Sequence, residues 1–216
     1  MLREFTSRLF SFLFPETCIG CNTGGIMLCN DCLARIPPPG EHMMEILSLF
    51  DYRNPVIRRG IHLFKYQNGQ RIGIVFGKAL YKKVIRELVD GALSTLKNPV
   101  LIPIPLSKER FKKRGFNQSE ILIQEMLSCD TKGVLRKEFS ALFRTEDTKS
   151  QVLIRDRDAR IENMKGCFGV KNKEKISGKD ILLIDDVTTT GATILEARKI
   201  LLEAGARKVI GVTVAH

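Results

Sequence analysis

The length, composition and charge of the chain limit the classes of protein to which it can belong. Its 216 residues, of which 44% are hydrophobic, suffice for one medium α/β domain with a small appendage. The formal net charge of +11 predicts an attraction to polyanions, either nucleotides or nucleic acid. No apolar run is long enough to cross a bilayer, so we expect no transmembrane segment.

The first residues of the chain, 1–14, carry apolar side chains at helical spacing. These are Leu2, Phe5, Leu9, Phe12 and Leu13. We interpret the segment as an amphipathic helix that docks on the body of the protein, with attachment to a membrane surface as the alternative. Because no small-residue cleavage site follows it, we expect a cytoplasmic protein.

Four cysteines lie in one short segment. Two residues separate Cys18 from Cys21, and two separate Cys29 from Cys32. Two such pairs of thiolates can close tetrahedrally on one ion and leave no open position for chemistry. Disulfides are the alternative, but a chain without a secretion signal is expected to keep its thiols reduced. The spacing therefore predicts a structural zinc site.

A stiff run, Pro37-Pro38-Pro39-Gly40, follows the cysteines. It predicts a boundary between an N-terminal helix and zinc module, residues 1–40, and a main domain, residues 41–216. In the main domain, the apolar spacing from Arg71 to Asp90 predicts a helix, and Val100 to Ile104 predicts a strand.

Basic residues are concentrated between this strand and the next helix. The helix is predicted to begin at Asn117, which forms a capping-box pattern with Glu120. The loop before it, residues 107–114, contains Lys108, Arg110, Lys112, Lys113 and Arg114. We interpret this loop as a binding site for an anionic ligand, the alternative being a solvated surface loop. Phe111 and Phe116 either stack bases of single-stranded DNA among these cations or pack in the core.

The most informative stretch of the chain is a strand followed directly by two acids and a hydroxyl-rich turn. Four apolar residues, 181–184, precede Asp185 and Asp186, and a helix is predicted over 194–204. Amides at the start of that helix can bind a phosphate. The carboxylates can accept hydrogen bonds from the vicinal hydroxyls of a sugar or help hold a hydrated cation. The stretch therefore predicts a ribose-phosphate site. The alternative is a Thr-rich surface turn, which does not explain the two acids.

The predicted strands and helices alternate along the main domain. Two further strands are expected over 179–185 and 208–214. Alternation of this kind predicts an α/β fold with a largely parallel sheet flanked by helices. Ligands of such folds bind at the carboxyl ends of the strands, where both the basic loop and the acid pair are expected.

The string from Ile181 to Thr193 closely resembles the signature of type I phosphoribosyltransferases. The resemblance implies that Asp185 and Asp186 contact the ribose of phosphoribosyl pyrophosphate as catalytic residues. It places the 5′-phosphate of that ligand on the turn formed by Thr188, Thr189, Thr190, Gly191, Ala192 and Thr193. It places the pyrophosphate, with Mg²⁺, beside Leu106, Ser107 and Lys108, with Arg110 and Arg114 in reach.

With the cysteine module in front, the chain resembles the ComF family of late-competence proteins over nearly its whole length. Further matching motifs are Lys65-Tyr66, residues 103–106 and residues 114–118. The resemblance also implies a flexible lid that contains Arg144, Thr148, Gln151 and Arg160.

The resemblance to the ComF family implies a function. It indicates a protein that binds phosphoribosyl pyrophosphate or a nucleotide and acts in the handling or uptake of single-stranded DNA during natural transformation. Proteins of the competence machinery are the expected partners. The alternative is an active phosphoribosyltransferase that transfers phosphoribose to an amine or a base. Thr188 departs from the family, which often has an apolar residue at that position.

Overall fold

The computed structural model describes residues 17–40, 43–66, 69–145 and 166–216. The amphipathic segment 1–14 lies outside these ranges, as do the predicted lid residues Thr148, Gln151 and Arg160. Of the helices in the described ranges, none combines the length and the apolar character that crossing a membrane would require.

Five parallel strands form the main sheet. In spatial order they are β1 (Ile46–Phe50), β7 (Lys208–Ala215), β6 (Asp180–Val187), β2 (Val100–Pro103) and β3 (Arg136–Lys137). Two short strands, β4 (Leu142–Arg144) and β5 (Phe168–Val170), form a separate antiparallel pair. The predicted α/β fold with a largely parallel sheet is confirmed, and the three predicted strands begin and end within two residues of their expected positions.

Helices cover both faces of this sheet. The helices of the described ranges are α1 (Asn30–Ala34), α2 (Pro55–Tyr66), α3 (Gln70–Asp90), α4 (Lys108–Arg114), α5 (Gln118–Cys129) and α6 (Ala192–Glu203), with a 3₁₀ turn at Lys173–Lys175. The helix predicted over 71–90 is confirmed as α3. Asn117 precedes α5 as predicted, and its side-chain oxygen accepts a hydrogen bond from the Ser119 N–H.

The basic stretch predicted as a loop is instead the short helix α4. The Ser107 side chain caps it by accepting a hydrogen bond from the Arg110 N–H. Gly115 ends it with a φ of 79°, a left-handed conformation that favours glycine. The serine before the run and the glycine after it are signals for a helix. The run was nevertheless predicted as a loop because most of its residues are basic.

Residues 181–184 of the central strand β6 are buried on both faces of the sheet, which explains this apolar run. On one face, Leu182 and Ile184 belong to a core that includes Phe64, Phe76, Leu80, Leu101 and Leu122. On the other face, Ile181 and Leu183 belong to a second core that includes Ile102, Ile194, Ala197, Leu201 and Val209. Helices α2, α3 and α5 therefore cover one face of the sheet, and α6 covers the other.

The cysteine segment shares the first of these cores. Cys18, Ile19, Leu28 and Ile36 are buried in the same cluster as the side chains of α2 and α3. A Cβ atom added at Gly60 of α2 would lie 3.3 Å from Ile19 Cδ1 and 2.8 Å from Phe76 Cζ. The absent side chain at Gly60 therefore lets the N-terminal segment and α3 both approach α2. The domain boundary near residue 40 stays a prediction.

Candidate functional site

The acid pair lies at the carboxyl end of the central strand, beside the end of its neighbour. The register of the sheet pairs Ile184 of β6 with Pro103 of β2. The Ile104 N–H continues this ladder by donating to the Ile184 carbonyl, 3.0 Å away. Asp185 of β6 therefore lies level with the end of the neighbouring strand β2. The segment that connects β2 to α4 starts next to the two acids.

Each carboxylate of the pair has its own set of partners. Asp185 Oδ1 accepts hydrogen bonds from the Asp186 N–H at 2.8 Å and from Ser119 Oγ at 3.4 Å. Asp186 is nearly buried, and its Oδ2 lies 3.1 Å from Nζ of Lys65 in the last turn of α2. An α2 lysine and an α5 serine thus converge on the two acids at the end of β6.

The environment of the pair changes the ionisation of Asp185. Burial and, after it, the negative charge of Asp186 raise the pKa of Asp185 to about 7, although the Asp186 N–H, Lys65 and Ser119 oppose the shift. This shift favours the protonated form of Asp185 relative to an ordinary aspartate. A protonated carboxyl beside a carboxylate can both donate to and accept from a sugar diol.

The turn after the acids leads into α6. The Thr188 N–H donates to the Ala215 carbonyl at 3.0 Å, so this amide belongs to the sheet. Gly191 has a φ of 77°, and a Cβ added there would lie 2.5 Å from Met43 Cε. The Ala192 N–H donates to Thr190 Oγ1 over 3.4 Å. The N-terminus of this twelve-residue helix thus follows the acid pair, as the sequence predicts for a phosphate site.

The segment after β2 and the strand β4 line a common cavity of about 370 Å³. Leu106, Ser107 and Lys108 contribute one side of it, and Phe143 and Arg144 contribute the other. The guanidinium group of Arg144 lies 5.7 Å from the centroid of the Phe168 ring. The predicted pyrophosphate segment and the one described lid residue therefore meet at a single cavity.

The two arginines predicted to reach the pyrophosphate lie on α4. Arg114 donates to Gln118 Oε1 at 2.9 Å, and its guanidinium carbon lies 5.9 Å from the centroid of the Tyr66 ring. Arg110 donates its N–H to the Ser107 cap. Arg114 is thus directed towards the end of α2, a placement that the sequence did not indicate.

The two phenylalanines of the basic region differ in burial. Phe116 packs against the first core, which agrees with the core alternative given by the sequence. Phe111 is about half exposed on α4. The expectation that both rings pack in the core is wrong for Phe111, because α4 turns this position outward together with its lysines.

Sequence reasoning assigned no role to Lys65 or to Ser119, although Lys65 belongs to a matching motif. Lys65 lies more than a hundred residues before the acid that it contacts. The only local signal for either residue is its position at a helix end, Lys65 in the last turn of α2 and Ser119 in the first turn of α5. Their placement beside the acids comes from the packing of these helices on the sheet.

The four cysteines of the N-terminal segment form a cluster that can hold a metal ion. Their sulfur atoms all lie within 4.8 Å of one another, and none of the six cysteines of the chain forms a disulfide. The Gly20 and Cys29 N–H groups donate to Cys18 Sγ over 3.4 and 3.3 Å. Burial raises the pKa of Cys18, but hydrogen bonds from the backbone of Cys29, Cys21 and Gly20 and from the Cys29 side chain outweigh burial and lower the pKa to about 6.

The backbone around the cluster fits a metal centre. Thiolate donors directed at one point are the ligands that soft ions prefer, and backbone N–H donors to the sulfur atoms stabilise the thiolate form. A Cβ added at Gly20 would lie 2.7 Å from Cys32 Sγ, so a side chain here would enter the space of the cluster.

We predict that Asp185→Asn stabilises the protein at alkaline pH. The raised pKa means that the folded state favours the protonated carboxyl, so its stabilising contribution is present below about pH 4 and is lost as the pH rises through about 7. An amide avoids this loss. Urea unfolding at pH 8 should give the variant a free energy of unfolding higher by on the order of 2 kcal/mol, with a smaller difference at pH 5.

A control for this prediction is Asp90→Asn, which changes an exposed acid at the end of α3. It should leave the free energy of unfolding unchanged at both pH values. An Asp185→Asn variant that is less stable than the wild type at pH 8 would contradict the prediction.

Comparisons with known proteins agree with this geometry. The family described as Phosphoribosyl transferase domain matches residues 77–216. The chain is 30% identical over 184 residues to the DNA utilization protein YhgH of Escherichia coli O6:H1, a match that covers 84% of this chain and 74% of that protein. It is 38% identical over 158 residues to the competence protein ComFC of Bacillus subtilis, covering 73% and 58% of the two chains.

Among solved structures, hypoxanthine phosphoribosyl transferase of Trypanosoma cruzi is similar over 65% of this chain and 63% of that one. The TM-score is 0.42 and the sequence identity 14%. The family match covers more than half of the chain, and the relatives, which include a competence protein ComFC, match it over most of its length. The chain therefore belongs to the phosphoribosyl transferase domain family and, within it, to the ComF family.

Proposed function

We propose that the chain binds phosphoribosyl pyrophosphate or a nucleotide at the carboxyl edge of its sheet, and that this binding serves the handling of single-stranded DNA. The observation that carries the proposal is the direct succession, at the end of the central strand, of an acid pair contacted by Lys65 and Ser119 and of a helix N-terminus. Acids repel a phosphate but bind a diol, and the helix start attracts a phosphate, so the two halves together match a ribose 5-phosphate.

The proposal assigns the parts of the ligand to neighbouring elements. Asp185 and Asp186 bind the ribose hydroxyls, with Ser119 holding Asp185 and Lys65 balancing Asp186. The turn from Thr189 to Thr193 binds the 5′-phosphate. The Thr188 N–H is left out of this set because it already donates to the Ala215 carbonyl.

The proposal places the pyrophosphate at the cavity between the β2–α4 segment and β4. Leu106, Ser107 and Lys108 supply backbone groups and one cation there, Arg144 supplies a second cation, and Arg110 lies on the following helix. A pyrophosphate carries more negative charge than these groups balance, and Mg²⁺ would supply the remaining positive charge. Catalysis by the same residues would also need an acceptor, and the proposal concerns binding alone.

We propose that the cysteine cluster holds a structural zinc ion. A set of four thiolates closes the coordination sphere, which suits a structural role and leaves no position for a substrate. Thiols that must stay reduced to bind a metal require a reducing compartment, which favours the cytoplasm as the location of the protein.

The names of the relatives and the charge of the chain support a role with DNA. The matched proteins are described as DNA utilization and competence proteins. The net charge of +11 attracts polyanions, and α4 presents exposed Lys112 and Lys113 beside the half-exposed ring of Phe111. Cations interleaved with an aromatic ring suit the backbone and the bases of a single strand. Proteins of the competence machinery are the partners that this role would involve.

The binding site is tested by calorimetry with Mg²⁺ and phosphoribosyl pyrophosphate. We predict that the wild-type chain binds and that Asp186→Asn lowers the affinity by roughly tenfold to a hundredfold, because the variant no longer offers a charged acceptor to the ribose hydroxyls. Asp90→Asn should bind as the wild type does. Thermal unfolding shows whether each variant is folded, and a folded wild-type chain that produces no heat would sink the proposal.

The zinc site is tested by metal analysis of the purified protein. We predict one zinc ion per chain and its loss in Cys21→Ser, together with a fall in thermal stability, because metal binding contributes directly to folding. Cys129→Ser, which changes a cysteine that is not a member of the cluster, should keep the metal. Wild-type protein that stays free of metal when it is refolded with zinc would contradict the assignment.

The DNA role is tested by measuring the affinity for an oligothymidylate at several salt concentrations. We predict that the double variant Lys112→Ala and Lys113→Ala weakens binding and reduces the slope of log affinity against log salt by roughly 0.7 for each phosphate that the variant no longer neutralises. The double variant Lys132→Ala and Lys173→Ala removes equal charge from exposed positions elsewhere and should keep the slope. Wild-type affinity that does not change with salt would exclude an electrostatic DNA site.

A further inference from the structure

We propose that the groove between the cysteine segment and α3 docks an acidic amphipathic helix of a partner protein. The groove has a volume of about 1090 Å³. None of the described residues that line it belongs to the acid pair, to the turn from Thr188 to Thr193 or to the cavity beside β4. The inference therefore goes beyond the proposed function and does not depend on it.

The length of the groove fits a helix. One wall is α3, whose residues from Arg71 to Arg86 line it. At the rise per residue of an α-helix, this stretch is about 22 Å long, roughly four turns. A second wall comes from the cysteine segment, from Gly25 to Ala34. A groove of this length between two segments accommodates the side of one further helix, which is how amphipathic helices are commonly recognised.

Apolar side chains that the fold leaves open lie in the groove. Ile26 of the cysteine segment and Ile74 of α3 both line it, and each is 38% exposed. Met27, Leu33 and Val75 also line the groove and are only partly buried, although they pack against the first core. These side chains would lose exposed apolar area beneath a helix with an apolar stripe, and this burial supplies the attraction.

A row of cations borders this apolar surface. Lys78, Lys82 and Arg86 line the groove at intervals of four residues along α3, and all three are exposed. Such spacing places them one above another on a single side of the helix. Lys83 also lines the groove, but its Nζ lies 2.8 Å from Glu87 Oε1. No acid is among the described residues of the lining. A partner helix with acids at four-residue intervals beside its apolar stripe would pair with this row.

Other occupants match these observations less well. The chain's own segment 1–14 has apolar spacing, but its one acid, Glu4, stands against two arginines, Arg3 and Arg8. A second copy of the chain carries a net charge of +11 and would bring further positive charge to the row. An anionic membrane offers a flat surface, whereas the groove lies between two segments. The acidic helix is therefore the occupant that satisfies both the apolar surface and the charge.

The test measures the affinity of the full chain for labelled peptides by fluorescence anisotropy. The probe is a synthetic helix of about five turns, with leucines on one stripe and glutamates at four-residue intervals beside it. One control peptide has the same composition in scrambled order, and the other has lysine at each glutamate position. We expect the wild-type chain to bind the acidic helix at least roughly tenfold more tightly than either control peptide, with an affinity that falls as salt rises.

Charge reversal tests the row of cations. The double variant Lys78→Glu and Lys82→Glu should weaken binding of the acidic helix roughly tenfold, because the introduced carboxylates repel its glutamates. The double variant Lys132→Glu and Lys173→Glu makes the same change of charge at exposed positions that do not line the groove, and it should bind as the wild type does.

A polar substitution tests the apolar surface. Ile74→Asn should weaken binding of the acidic helix roughly tenfold, because an apolar contact is lost. Val89→Asn is the matched control, since Val89 is an exposed residue of the same helix that does not line the groove. Thermal unfolding shows whether each variant is folded, and the charge-reversal pair tests the proposal even if Ile74→Asn does not fold.

Several results would overturn the inference. Equal affinity of the wild-type chain for all three peptides would do so, as would charge reversal at Lys78 and Lys82 without effect. Binding that appears only after Phe5→Asp and Leu9→Asp would assign the groove to the chain's own first segment. A wild-type dimer that dissociates in Ile74→Asn would assign it to a second copy. Binding to vesicles that contain phosphatidylserine, with none to the acidic helix, would assign it to a membrane.

Discussion

The parallel pairing of the central strand β6 with β2 and β7 is the constraint on which the rest of the structure depends. Because β6 is covered on both faces, its polar residues can lie only at its ends, and the first of them at the carboxyl end are Asp185 and Asp186. The register with β2 then brings the segment that leads into α4 to the same edge. Burial of apolar area thus positions a polar site at the edge of the sheet.

The contact between Lys65 and Asp186 joins this edge to the helical layer. Two adjacent carboxylates at the end of a buried strand repel each other, and the structure limits the repulsion in two ways, by the ammonium group of Lys65 and by the raised pKa of Asp185.

The cysteine segment packs against the helix that reaches the acid pair. Residues of the cysteine segment are buried against α2, where Gly60 allows Ile19 to approach, and α2 ends at Lys65 and Tyr66. A metal that orders the segment therefore also restricts the helix that reaches the acids. This continuity gives a physical reason for a structural metal in a protein whose proposed ligand lies elsewhere.

The sequence by itself determined the features that depend on local order along the chain. The apolar run before Asp185 determined a strand buried on both faces, the spacing of the cysteines indicated one cluster, and Asn117 marked the start of α5. The tertiary structure alone decided which distant groups meet. It placed Lys65 and Ser119 at the acids and engaged the Thr188 amide in the sheet. Helix packing sets these contacts over long separations in the chain, and no local pattern encodes such distances.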